Sequence, residues 1–315
     1  MPAIEKSPPP TVSVIIPAYN AAGTIAEALE SVFAQAYDGA VEIIVTDDGS
    51  TDATAAVLAS FGARIGVIRQ ANQGLPTARN VAIERARGEY IALLDADDVW
   101  MPTRLAKTVA ALRENPEAVL SFSDYSRMDR GGAVVQWSAV AGRFAHAPSM
   151  EELLNDWWPI APTTVTMRRS TWSGCGGFHR ATAIGFEDVY FFILARELGE
   201  FTYVAEPLAR FRVTDSSRAV NKWKPDMFIK LIRGRYGARA RGLIKQVRNE
   251  YAAGFAAKAL GAMESGQRAE ALGYWLKALH YDPLYPVRAN HIWRAARGRN
   301  LRRLVRVLRP RSGGR

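Results

Sequence analysis

From Thr11 onward the chain alternates between short apolar runs and stretches whose apolar residues fall at helical spacing. TVSVIIPAYN is a β-branched run stopped by Pro17, and behind it Ile25, Leu29, Val32 and Phe33 share one helical face. VEIIVTDDGSTD repeats the scheme, a strand of buried type ending in turn chemistry, before the periodic ATAAVLASF. RIGVIRQ predicts a third strand ahead of the NQGLPTARN loop and helix. A fourth run, Tyr90-Ile91-Ala92-Leu93-Leu94, breaks off in Asp95-Ala96-Asp97-Asp98; a helix after Pro102 and a strand over Ala118 to Phe122 follow. Repeated β-α units of this kind predict an α/β fold, a Rossmann-like, mainly parallel sheet flanked by helices. Ligands collect at the carboxyl ends of such strands. AYN, DDGS and DADD all fall there.

Past residue 122 the pattern loosens, with Gly131-Gly132, Trp157-Trp158-Pro159 and Gly174 to Gly177 ahead of a helix from about Glu187 to Leu198. Beyond Lys222 the signal is helical throughout. AEALGYWLKALHYDP sets Ala271, Trp275, Ala278 and Pro283 at the spacing of a tetratricopeptide second helix, but one copy cannot stack, so a single helical hairpin is expected. The division that follows is a disordered tail over 1–10, a main domain over 11–220 with halves 11–122 and 123–220, and a helical extension over 221–315.

Charge sharpens that division. The net charge is +10, yet 22 of the 41 Lys and Arg lie in residues 221–315 against only 5 Asp and Glu. With 48% hydrophobic and 23% charged residues the chain is an ordinary globular one. A single cysteine, Cys175, excludes an internal disulfide framework and a multi-cysteine metal site, and points to a reducing compartment. The opening MPAIEKSPPP has no apolar stretch of the kind a signal peptide or anchor needs.

Several residues at the strand ends have chemistry open to them. Tyr19 can stack on a nucleobase or simply pack. Asp47 and Asp48 can accept a base N–H, or form an Asx turn into Gly49-Ser50. Asp95 and Asp97 stand on one side of an extended segment, and two carboxylates beside a phosphate group make sense with a divalent cation between them. Hard oxygen ligands suit Mg²⁺ or Mn²⁺. Asp98 reads as a cap for the helix after Pro102. Glu187 and Asp188 open a helix, where acidic residues complement the dipole. Trp157 and Trp158 form either an acceptor-sugar platform or lobe packing. His146, His179, His280 and His291 show no ligand spacing.

VSVIIPAYN, EIIVTDDGSTDAT, NQGLPTARNVAIERARGEYIALLDADD and GFEDVYFFILA, in this order over residues 11 to 215, resemble the inverting family-two nucleotide-sugar glycosyltransferases of the GT-A fold. The resemblance implies a GT-A-type sheet with a C-terminal helical extension, and a sugar moved from a nucleotide-diphosphate donor, a UDP-sugar, to a hydroxyl of a glycan or lipid-linked glycan. It implies base stacking by Tyr19 beside Pro17 and Ala18, the uracil contact on Asp48, and Arg79 lining the nucleotide pocket. It assigns Asp97 as direct metal ligand, Asp95 as a water-mediated or ribose contact, and Asp188 as the general base supported by Glu187. The family often carries a histidine where ARFRVTDSSRA places Thr214, so the expected metal site is poor in protein ligands.

Two other classes remain to be weighed. The basic end with Trp293 suits nucleic acid, but leaves DADD and ED without a purpose, so no nucleic acid is expected as a partner. A nucleotidyltransferase would place a Gly-rich, basic phosphate loop after its first strand, where this chain has PAYNAAGT. In LRRLVRVL the apolar positions 301, 304, 305 and 308 form one face flanked by arginines, which fits an interfacial helix on an anionic membrane or a helix packed on the main domain. The location expected is cytoplasmic, at the inner face of a membrane when that helix binds lipid.

Overall fold

The computed structural model describes residues 11–140, 146–155, 160–180, 186–213 and 225–284. Trp157, Trp158, Thr214, the tail over 1–10 and the arginine-flanked stripe at 301–308 lie outside the described residues.

The predicted units appear in order: β1 (Val12–Ala18), α1 (Ile25–Phe33), β2 (Val41–Asp47), α2 (Thr54–Ser60), β3 (Gly66–Arg69), α3 (Leu75–Arg85), β4 (Tyr90–Leu93) and α4 (Arg104–Glu114). Strands β3, β2, β1 and β4 are neighbours and parallel, with Ala18 opposite Asp47 and Ile15 opposite Leu93. β1 is buried along its whole length, and α1 covers it with Ile25, Ala28, Leu29 and Val32. Burial on both faces explains why its sequence is a continuous apolar run. Pro17 lies inside β1 and does not stop it. Leu94 donates to the Ile15 carbonyl, so the nitrogen of Pro17 faces β4 just where that ladder has ended, and its missing N–H costs nothing.

Beyond β4 the sheet is mixed: β6 (Ala118–Met128) begins where a strand was expected and runs on past Phe122, and it is joined by strands the periodicity did not reveal. β8 (Thr166–Arg168) runs antiparallel between β4 and β6, and β9 (Glu200–Arg212) pairs parallel with β6. The two-residue β5 (Val99–Trp100) pairs antiparallel with β9, and β7 (Val134–Gln136) pairs with β6. The full order is β3-β2-β1-β4-β8-β6-β9-β5. Helices α5 (Met150–Asn155), α6 (Arg169–Gly174) and α7 (Glu187–Leu198) belong to this second half. The bounds of α7 match its sequence pattern, and Tyr190, Phe191, Phe192 and Ile193 are buried along it.

Contacts divide the chain into two units after Leu243. The first includes α8 (Pro225–Tyr236), where Phe228 stacks on Phe186 with ring centroids 4.6 Å apart. The second is the helical hairpin made by most of α9 (Arg241–Glu264) with α10 (Arg268–Tyr281). Inside it Phe255 stacks on Tyr281 at 5.9 Å, and Ala271 and Ala278 are buried. No described helix is long and apolar enough to cross a membrane.

Candidate active site

The loops after β1, β2 and β4 stand in a row at the carboxyl edge of the parallel strands, and backbone-to-side-chain bonds knit them together. Asn20 is the only described residue other than glycine with positive φ, at 52°, a conformation its short amide tolerates. Its carbonyl oxygen accepts the Thr51 N–H at 2.8 Å and its own N–H donates to Ser50 Oγ at 3.0 Å. Tyr19 beside it is left half-exposed, available for stacking.

The two aspartates of DDGS divide the work. Asp47 Oδ1 accepts the Ser50 N–H at 2.9 Å, the turn bond expected of this motif. Asp48, also buried, accepts from the Gln73 and Gly74 N–H groups at 2.9 Å each and from the Gln70 amide at 2.7 Å. It thereby holds the loop that leads into α3. A side chain at Gly49 could not fit between these loops: φ is +77°, and a Cβ would stand 2.8 Å from the Asn72 nitrogen.

Arg79 on α3 is the centre of the arrangement. An arginine near a helix start is ordinarily solvated, yet its side chain is 1% exposed. One Nη donates to Asp95 at 2.7 Å and the other to Glu187 at 3.2 Å, while the guanidinium lies 5.4 Å from the centre of the Phe178 ring. The next residue, Asn80, pairs its side-chain amide with both backbone groups of Phe178, at 2.8 Å each. These adjacent residues draw the chain ahead of α7 toward the end of β4. Asn80 carried no signal in the sequence beyond its place in ARN.

Around this cation the carboxylates are crowded. Burial, then Glu187, push the Asp188 carboxyl up to about 7, against the pull of Arg79. Burial, then Asp95, push Asp97 up to about 6, with Arg212 drawing it down. Asp98 does not cap α4. It is buried, its Oδ1 accepts the Arg212 N–H at 2.8 Å, and burial with Asp97 and Asp95 raises its pKa well above the carboxylate range. The α4 N-terminus carries no side-chain cap, because the four residues between Asp98 and Thr103 are spent forming β5 and a turn. Asp97 forms no ion pair among the described residues, so it presents a hard oxygen donor in a negative setting, a fit to Mg²⁺ or Mn²⁺. No group of three or more His, Cys, Asp and Glu that could hold a metal ion occurs among the described residues.

Residues 13–189 match the family Glycosyl transferase family 2. A putative teichuronic acid biosynthesis glycosyltransferase of Bacillus subtilis is 32% identical over 223 residues, 68% of this chain and 84% of that protein. An uncharacterized glycosyltransferase of Rickettsia prowazekii is 35% identical over 122 residues, 38% of each chain. The fold matches crystal structures of S. aureus TarS 1–349 in complex with UDP, TM-score 0.54 at 18% identity, and with UDP-GlcNAc, TM-score 0.53 at 16% identity. Each match covers 88% of this chain and 91% of that one. The shared architecture is the GT-A type.

The Arg79 network makes a quantitative expectation. Arg79→Met leaves Glu187 buried without its cation and should cost about 3–5 kcal/mol in urea unfolding. Removing the charge on both sides, Arg79→Met with Glu187→Met, should restore most of that loss. A double variant no more stable than the single one would refute the pairing as the source of the effect.

Proposed function

We propose that this chain, which belongs to glycosyl transferase family 2, moves a sugar from a UDP-sugar to a hydroxyl of a glycan or lipid-linked glycan with inversion at the sugar carbon. The observation that carries this reading is Asp188: a half-buried carboxylate on the first turn of α7, held near pKa 7 beside the Asp95–Arg79–Glu187 group. A general base works best when its pKa lies near the operating pH. Asp188 takes the proton of the acceptor hydroxyl as its oxygen bonds to the sugar carbon. The bond from that carbon to the diphosphate breaks on the opposite face, and its electron pair leaves with the nucleotide.

The donor end follows from the loops at the carboxyl edge. Tyr19 stacks on the base, with Pro17 and Ala18 forming the adjoining wall, and Asp48 uses its remaining lone pair for the uracil N–H. Arg79 serves the pocket from beneath, since both its Nη atoms are engaged by carboxylates. Asp97 would hold Mn²⁺ or Mg²⁺ directly and Asp95 through water. The ion, when bound, neutralises charge on the departing diphosphate. The UDP and UDP-GlcNAc complexes of TarS support a UDP-linked donor, and the teichuronic acid relative supports a cell-envelope polysaccharide as acceptor. The basic C-terminal residues would bring the enzyme to an anionic membrane bearing a lipid-linked acceptor, each cation contributing about 1 kcal/mol near the surface.

Asp188→Asn should lower transfer by about 10²–10⁴-fold, with UDP affinity retained. In the wild type kcat/KM should fall about tenfold per unit as pH drops below about 7, because protonated Asp188 cannot accept the acceptor's proton. A flat profile from pH 5 to 8 contradicts the assignment. Asp97→Asn should abolish the Mn²⁺-dependent part of UDP binding. It should also raise the melting temperature of metal-free protein at pH 8, by about 1–2 kcal/mol in stability. The sign follows from a folded pKa of about 6 against a model value of 3.8: the charged form strains the fold above about pH 6, and protonation relieves it below. Full-length protein should pellet with anionic but not neutral vesicles at low salt, and a chain ending at Asn290 should stay in the supernatant. Equal behaviour of the two chains removes the membrane reading.

A further inference from the structure

Arg212, the last residue of β9, is buried at 4% exposure, and its contacts converge on the loop after β4. Its Nε donates to the main-chain carbonyl of Asp97 at 2.8 Å. Its own N–H donates to Asp98 Oδ1 at 2.8 Å. The outer end of the guanidinium is braced elsewhere. One Nη donates to the carbonyl of Arg130 at 2.9 Å in the β6–β7 turn, and the other to Glu27 on α1 at 2.5 Å. A single residue thus holds two successive members of DADD, one by side chain and one by backbone, and ties both to α1 and the β6–β7 turn.

A strand end that merely needed closing would use neutral donors, since a buried cation costs far more than an amide. The charge is matched by Glu27 at the outer end of the fork, which leaves the Nε edge aimed at the Asp97 carbonyl and the backbone N–H at Asp98. The carbonyl and carboxylate of Asp97 belong to one residue, so fixing the first by one bond from a rigid fork that is itself braced at both Nη atoms limits where the second can point.

We propose that Arg212 is a positioning residue for sugar transfer, acting through the Asp97 carbonyl and Asp98 to aim the Asp97 carboxylate at the donor diphosphate and its divalent ion. The proposal rests on Asp97 being the metal ligand. In the sequence Arg212 is marked only as a cation at the end of a strand, two residues before Thr214.

The test is calorimetric titration of Mn²⁺ into full-length protein saturated with UDP. Arg212→Gln, which keeps a hydrogen-bonding amide but loses charge and fork, should weaken Mn²⁺ binding about 10–100-fold, the usual effect of losing a ligand's supporting partner. Metal-independent UDP affinity should stay unchanged. Glu27→Gln removes the charge of the brace at a half-exposed position while keeping an oxygen that accepts from Arg212, and should weaken Mn²⁺ binding about two- to fivefold. Arg168→Met removes another arginine bonded to main-chain carbonyls, those of Leu112 and Ala118, far from DADD. It should lower the melting temperature and leave the Mn²⁺ titration as in wild type. Unchanged Mn²⁺ affinity in both Arg212→Gln and Glu27→Gln, with a normal wild-type titration, overturns the positioning role alone. A wild type whose UDP complex takes up no Mn²⁺ overturns the metal reading and the proposal together.

Discussion

A guanidinium taken out of water costs several kcal/mol unless its charge is matched and its N–H groups are used, and Arg79 is matched by two carboxylates from opposite ends of the domain. Asp95 lies 16 positions away and Glu187 lies 108 away. Each of the three would be a liability if buried alone. Their mutual need fixes the start of α7 against the end of β4, and Asp188 follows because it is the next residue after Glu187. The general base proposed here is therefore placed by a neighbour's ion pair, its own side chain accepting, among the described residues, a bond from the Val189 N–H at 2.7 Å.

Burial, and after it the crowding of like charge, explains why these carboxylates are strained. Asp95, Asp97, Asp98, Glu187 and Asp188 lie around two arginines, Arg79 and Arg212, and Asp97, Asp98 and Asp188 are pushed toward their neutral forms. A core selected only for stability would replace such groups with apolar ones. Their retention makes chemical sense where a cation and a diphosphate enter together: the ion relieves the carboxylates, and the acids keep a base at useful strength.

How much of this was legible before folding depended on sequence distance. β1, β2, β4 and α7 announced themselves through local periodicity, and the strand-end positions of Tyr19, Asp48 and Asp97 followed from it. What failed were inferences about partners. Asp98 looked like a helix cap because a proline-started helix lies nearby, but its partner Arg212 is 114 residues away. Arg79 was placed by resemblance alone, and nothing local discloses Asp95 or Glu187 as its counter-ions. β5 and β8, at two and three residues, are too short to carry a period, and β9 mixes exposed and buried positions because it runs along a sheet edge with bulged pairing to β6.

The order of the sheet also bears on how the site is assembled. β8, from late in the chain, separates β4 from β6, and β5, from early in the chain, pairs only with β9. The segments over 11–122 and 123–220 are thus interleaved, and neither can complete its pairing alone. The residues that hold DADD in place reflect this: Arg79 comes before the loop, whereas Glu187 and Arg212 come long after it. The half over 11–122 folded by itself would have β1, β2 and β4 with their loops and the Arg79–Asp95 pair, yet Arg79 would lack Glu187 and the loop at Asp97 and Asp98 would lack Arg212. The geometry around Asp97 and the placement of Asp188, the base proposed above, are consequently one folding event, because both depend on α7 and β9 packing against the carboxyl end of β4.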